Sequence, residues 1–235
     1  LSFFEPNKAG VFSLEGKNSR GGESIVKIKE PVNALTHFAM FLAGLAGLGL
    51  LVWRAWGTVP GVTVALIFGL SIIMLYGAST LYHWVRTTPK KELLLRKLDH
   101  ISIYMLIAGT YTPILYYGLE GLWRWIMLGV IWGLAAVGAV LKIWLVGLPR
   151  AVTAGFYLAL GWMAIIPFRQ LLQSLAKPAL ILMVAGGAAY TIGAIIYATK
   201  IFNFVPKRFG FHEIFHIFVG LGTVLHFLMI FLFVL

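Results

Sequence analysis

The chain has 235 residues, 60% of them hydrophobic and only 11% charged, with a mean hydropathy of +0.90. An ordinary soluble domain, in which about a quarter of the residues are charged, is thereby excluded, and an integral membrane protein is indicated. A net charge of +11 would suggest a nucleic-acid partner in a soluble chain, but the placement of the basic residues has a membrane explanation, and no nucleic acid is expected.

Residues 1–29 read as a polar N-terminal arm, cytosolic and partly mobile, without the apolar core of a signal peptide. Leu1 in place of Met reads as a trimmed or processed start. From residue 30 the chain becomes a succession of apolar runs, at roughly 32–52, 61–84, 98–117, 123–145, 151–168, 177–199 and 212–235. Each approaches the ~20 residues that cross a ~30 Å hydrocarbon core. Helices satisfy all their backbone hydrogen bonds within one segment, so these runs predict an all-α, seven-transmembrane-helix bundle. The connections are short, which makes neighbouring spans antiparallel and leaves residues 30–235 as one membrane domain.

Of the 19 Lys and Arg, 15 fall in the arm and in the loops on its side of the membrane, including Arg86, Lys90, Lys91, Arg96, Lys97, Lys142, Arg150, Lys200, Lys207 and Arg208. Only Arg54, Arg124, Arg169 and Lys177 lie opposite. The positive-inside bias places the N-terminus in the cytosol and the C-terminus outside.

Ionisable groups inside spans are costly and therefore candidates for function. Span order brings Glu30, Asn33 and His37, Ser79 and His83, Asp99, and His212 and His216 to one leaflet, the cytosolic one. Residues four apart share a helix face about 6 Å apart along the axis, so His212 and His216 are spaced to hold one metal ion. The chain has no Cys, so a metal must use imidazole, carboxylate or water. His83, His212 and His216 are the expected Zn²⁺ ligands, with a fourth position open for water. Ser79, one turn deeper than His83, is placed to hold that water or a substrate oxygen, and Asp99 to take a proton. His100 is turned by about 100° from Asp99 and is expected to face a neighbouring helix or headgroups, while His226 lies roughly 15 Å beyond His216 and reads as a buried polar contact. Ala43, Gly44, Gly47, Gly49, Gly186 and Gly187 read as close helix-packing positions. Trp53, Trp56, Trp123 and Trp125 read as an interfacial belt.

In order, Glu30-Pro-Val-Asn33-Ala-Leu-Thr-His37, Ser79-x-x-x-His83 followed by Asp99, and His212-x-x-x-His216 resemble the three motifs of the PAQR superfamily, the progestin and adiponectin receptors with the bacterial haemolysin III proteins. Lys97-Leu-Asp-His-Ile-Ser-Ile-Tyr, Ile107-Ala-Gly-Thr-Tyr-Thr-Pro113, Gly161-Trp162 and Tyr190-Thr-Ile-Gly-Ala-Ile-Ile-Tyr197 are similar to the haemolysin III branch in particular, and the likeness runs from about residue 30 to 230. The resemblance implies a multi-pass protein of a bacterial plasma membrane with Zn²⁺ on the counterparts of His83, His212 and His216. It implies that Ser79 and Asp99 sit beside the metal-bound water, and it carries a superfamily link to membrane ceramidases.

Four functions follow as expectations. The first is membrane-lipid homeostasis through Zn-dependent hydrolysis of a lipid amide or ester near the inner leaflet. The second is a non-enzymatic, receptor-like protein with structural Zn²⁺ closed by Asp99. The third is cytolysis through a pore, which the branch name suggests but the nearly apolar outer halves of the spans do not favour. The fourth is an intramembrane protease using His212-Glu213-Ile-Phe-His216. A Glu at 213 is not kept in receptor members, which by that resemblance weakens the protease reading.

Overall fold

The computed structural model describes residues 13–17, 23–145, 147–205 and 209–235. Within the polar arm, β1 (Ser13–Lys17) and β2 (Glu23–Lys27) pair as an antiparallel hairpin, with Ser13 opposite Lys27 and Lys17 opposite Glu23. The rest is helical: α1 (Pro31–Arg54), α2 (Val59–Trp84), α3 (Pro89–Gly118), α4 (Gly121–Trp144), α5 (Arg150–Gly161), α6 (Phe168–Ser174), α7 (Lys177–Thr199) and α8 (Phe211–Met229). A 3₁₀ turn, Trp162–Ile165, follows α5, and a π-helical turn, Ile230–Val234, continues α8.

Local chemistry explains the starts. Pro occupies the first or second position of α1, α2, α3 and α7, where its missing N–H is no loss and its fixed φ is already helical. Thr58 caps α2, its hydroxyl accepting from the Gly61 amide at 3.2 Å.

Two segments depart from the expected boundaries. The third helix begins at Pro89 rather than near residue 98, because Pro89 and the helix-favouring run Lys90–Lys97 extend it by about two and a half turns. Asp99 therefore lies inside the helix instead of opening it. The fifth run is broken: α5, its 3₁₀ turn and α6 bend by 55°. Pro167 supplies no amide to continue the ladder and itself leaves helical geometry (φ −88°, ψ 14°), while Ile166 before it is still helical, so the run breaks at the proline. The described residues thus hold eight α-helices. Five (α1, α2, α4, α7 and α8 with its π turn) are long and apolar enough to cross a membrane, and the bent pair makes a sixth.

The helices pack largely in chain order, α1 on α2, α2 on α3 and α3 on α4, while α5 packs on α7 and α7 on α8. Contact of α8 with α1 closes the circle. Apolar side chains such as Leu42, Leu70 and Ile181 stand outward, whereas Asn33, His37, Ser79, His83 and His216 are each at most 4% exposed. This inverted distribution suits hydrocarbon surroundings, in which polar groups are satisfied only inside the protein. A Cβ at Gly44 would meet Ile72 at 2.9 Å and one at Gly47 would meet Phe227 at 2.9 Å, so these two are close-packing positions, as is Gly186 against His226. Gly49 and Gly187 face open space instead: Gly49 is on the exposed side of α1, and Gly187 borders a cavity. Trp53, Trp56 and Trp125 are 60–79% exposed at helix ends, whereas Trp123 packs against the core.

Candidate metal centre

The end of the bundle where α1 and α8 begin and α2 finishes gathers the polar residues. His83 from the last turn of α2 meets His212 and His216 from the first two turns of α8, with ring centroids 5.2 and 4.9 Å away. His212 and His216 are 4.6 Å apart. One nitrogen from each of the three lies within 4.8 Å of the others.

This trio fits a zinc ion by the chemistry of its donors. Two nitrogens of a tetrahedral shell, each about 2.1 Å from the ion, stand about 3.4 Å apart, and modest imidazole rotations close the remaining gap. His83 Nε2 and His216 Nδ1 are buried with no hydrogen-bond partner among the described residues, as are both ring nitrogens of His37; the first two are nitrogens that a metal ion could satisfy.

The arm leads directly into this site. Lys29 and Glu30 donate their amides to the carbonyls of Trp84 and His83 at 3.2 and 2.9 Å, which pins the entry of α1 to the end of α2. The Glu30 carboxylate then lies 2.7 Å from His83 Nδ1. An ionised carboxylate only accepts, so Nδ1 carries the proton and Nε2 presents its lone pair, the way a carboxylate sets the tautomer of a metal-binding histidine. Burial alone would raise the Glu30 pKa; the hydrogen bond and charge of His83, with the Asn33 amide, outweigh it and bring it from 4.5 to about 2.

Asn33 Nδ2 donates to Glu30 at 3.1 Å and to Glu213 at 2.9 Å. The other Glu213 oxygen accepts from the Gly210 amide at 2.8 Å and caps the start of α8. Both Glu213 oxygens thus have structural partners away from the imidazoles. His37 stacks on His216 with centroids 3.8 Å apart and meets Tyr76 edge-on at 5.0 Å. Lying face to face with His216, it is outside the converging trio.

Asp99 and Ser79 lie on the wall of a cavity of about 440 Å³, which His37, His212 and His216 also line and which Trp162, Ile165 and Val184 leave open on the flank of the bundle. Ser79 is next to Asp99 without forming a well-shaped hydrogen bond to it, and Asp99 Oδ2 lies 3.4 Å from His100 Nδ1. The His100 ring lines the same cavity, bonded by Nδ1 to the Arg96 carbonyl at 2.8 Å; it turns inward rather than to headgroups because that carbonyl of its own helix holds it. The cavity runs on to His226, 14 residues or about 21 Å along α8 from His212. His226 bonds the Gly222 carbonyl at 2.9 Å and stays apart from the trio, a buried polar contact as its spacing indicates.

The eight site residues singled out in the sequence therefore converge on one end of the bundle. Sequence reasoning missed the Glu30–His83 bond, the size of the cavity, and the deeper node in which Tyr76 and Tyr190 both meet Thr223, at 2.7 and 2.9 Å. None has a local signal, because each joins residues at least 33 positions apart.

Comparison with known proteins identifies the family of the chain as a whole. The family described as Haemolysin-III related matches residues 25–227. Hemolysin-3 of Bacillus cereus is 35% identical over 211 residues, covering 88% of this chain and 93% of that protein. A Hemolysin-3 homolog of Bacillus subtilis (strain 168) is 36% identical over 200 residues, covering 83% and 90%. The Adiponectin receptor protein of Drosophila melanogaster is 27% identical over 177 residues, 68% of this chain and 40% of that one. With its apolar helices and bacterial relatives, this is a multi-pass integral membrane protein of the bacterial plasma membrane, and it belongs to the haemolysin III family of the PAQR superfamily.

Proposed function

We propose that the protein is a zinc-dependent hydrolase of a lipid amide or ester, acting near the cytosolic leaflet in membrane-lipid homeostasis. One observation carries this reading: two of the three converging imidazoles open onto a lipid-sized cavity whose wall also holds Asp99 and Ser79. Zn²⁺ held by His83, His212 and His216 would supply a Lewis acid that polarises a carbonyl and makes water acidic near neutral pH. Glu30 keeps His83 in the tautomer that can ligate. Asp99 accepts the proton of the attacking water and returns it to the nitrogen or oxygen that leaves as the acyl bond breaks, and the Ser79 hydroxyl donates to the carbonyl oxygen as charge develops on it. The apolar wall receives the acyl chain, excludes water from its length and sets the carbonyl at the polar end.

In this reading α3 and the broken α5–α6 pair each cross the membrane once, which makes seven crossings with the N-terminus in the cytosol. Residues 1–29 are then a separate cytosolic arm on a membrane domain spanning 30–235. Of the basic residues that motivate this orientation, Lys8, Arg20, Lys207 and Arg208 lie outside the described residues.

The experiment is metal analysis of the purified wild type, His83→Ala and Asp99→Ala proteins, with turnover of ceramide and acyl-lipid substrates by each. The expected outcome is zinc in the wild type and Asp99→Ala but not in His83→Ala, and turnover in the wild type alone. Zinc-loaded wild type without turnover, together with an unchanged lipid profile in Asp99→Ala cells, overturns it.

Similarity to a protein named an adiponectin receptor supports a second reading, a receptor-like protein with structural zinc. A closed structural site calls for a fourth protein ligand; Asp99 stands outside the converging set, which favours the open, catalytic form.

A further inference from the structure

A second cavity, of about 420 Å³, lies between α4 and α5 on the flank of the bundle. Leu134, Val137, Leu141, Val152 and Phe156 line it and are 41–56% exposed, so it opens sideways toward lipid rather than into the core. One charged residue reaches it: Lys142, in the last turn of α4. Cationic side chains near the ends of spans ordinarily extend to the headgroups. Lys142 turns inward instead, is 2% exposed, and donates from Nζ to Thr153 Oγ1 of α5 at 2.8 Å.

That hydroxyl meets one of the three donors of an ammonium group. No ion pair among the described residues includes Lys142. The charge that acts on it is that of Arg96, which is also positive, and Arg96 Nε is itself buried without an acceptor. A buried cation lacking a carboxylate is costly, and among the described residues neither Lys142 nor Arg96 has an ion-pair partner. The last turn of a 24-residue span lies where hydrocarbon gives way to headgroups, the depth at which an anionic headgroup is at hand.

We propose that this crevice binds an anionic lipid of the surrounding bilayer, with one acyl chain against the α4–α5 wall and the acidic headgroup accepting hydrogen bonds from Lys142. The site is separate from the metal centre and does not depend on hydrolysis there. Its recognition elements are charge on Lys142 and shape in the crevice, and each is removed by its own variant.

The test is native mass spectrometry of the full-length protein titrated with palmitoyl-oleoyl phosphatidylglycerol or the matching phosphatidylcholine. Wild type is expected to hold the phosphatidylglycerol about tenfold more tightly, as a charge-assisted contact in a low-dielectric site implies. Lys142→Met abolishes that preference and Lys142→Arg keeps it. Ala159→Trp, which fills the crevice and leaves the charge, weakens binding of both lipids. Inorganic phosphate at millimolar concentration leaves the preference intact. The proposal is overturned if wild type shows no preference, if Lys142→Met retains it, if Ala159→Trp binds as wild type does, or if inorganic phosphate removes it, the mark of a simple anion site. Should Lys142→Met fail to fold, the Ala159→Trp and phosphate measurements decide alone.

Discussion

Glu30 stands at the junction of three helices: its amide bonds the end of α2, its carboxylate sets the tautomer of His83, and Asn33 links it to Glu213 at the start of α8. Loss of such an orienting carboxylate ordinarily lowers metal affinity about 10- to 100-fold. Glu30→Ala is expected to show a loss of that size in a zinc competition titration against a chelator. The same carboxylate has a pH signature in metal-free protein. Its folded pKa of about 2 is below the unfolded 4.5, so its stabilisation is complete above 4.5 and is lost as pH falls through 2. Melting temperature measured against pH should therefore fall less steeply across that window in Glu30→Gln than in wild type. Glu213→Gln, by contrast, is expected to retain zinc and any turnover while losing about 1 kcal/mol of stability through the weakened α8 cap. Loss of turnover with full zinc occupancy would instead revive the protease reading of His212-Glu213-Ile-Phe-His216.

Among the elements, α2 and α3 carry the tightest approach relevant to the site. A Cβ at Gly109 would collide with the Ser71 side chain, so Gly109→Ala should lower stability by roughly 1–3 kcal/mol in a denaturation measurement. Gly187 of α7 lines the cavity beside the imidazoles and has no atom within 4 Å of an added Cβ. Gly187→Phe should fold normally, keep its zinc and lose turnover of long-chain substrates before short ones; equal loss for both would remove the cavity as the acyl site. Hydropathy located the element centres because each span must close its own backbone hydrogen bonds. It misjudged the start of α3 and the break after α5 because a polar helix extending beyond the hydrocarbon, and a proline at the end of one, have no hydrophobic signal of their own.

At the scale of the whole molecule, the basic residues crowd the loops at the end that carries His83, His212 and His216. A C-terminal alkaline phosphatase fusion is therefore expected to be active and a C-terminal green fluorescent protein fusion dark; the reverse pattern would turn the bundle over and move the site to the outer leaflet. Composition, span order and the spacing of Glu30, His83, Asp99 and the two α8 histidines were enough to recognise a helical membrane protein of this family and to collect its polar residues at one depth. Those properties are local or one-dimensional: hydrophobicity sets the crossings, and chain order sets which ends meet. The contacts that make a site are different in kind. That Glu30 grips His83 rather than a neighbouring helix, that His37 stacks on His216 without joining the trio, and that Lys142 folds into a lipid-facing crevice all depend on packing between segments distant in sequence. The stacking of His37 on His216, for one, exists only where α8 meets α1, a contact between the first and last helices that no local pattern encodes.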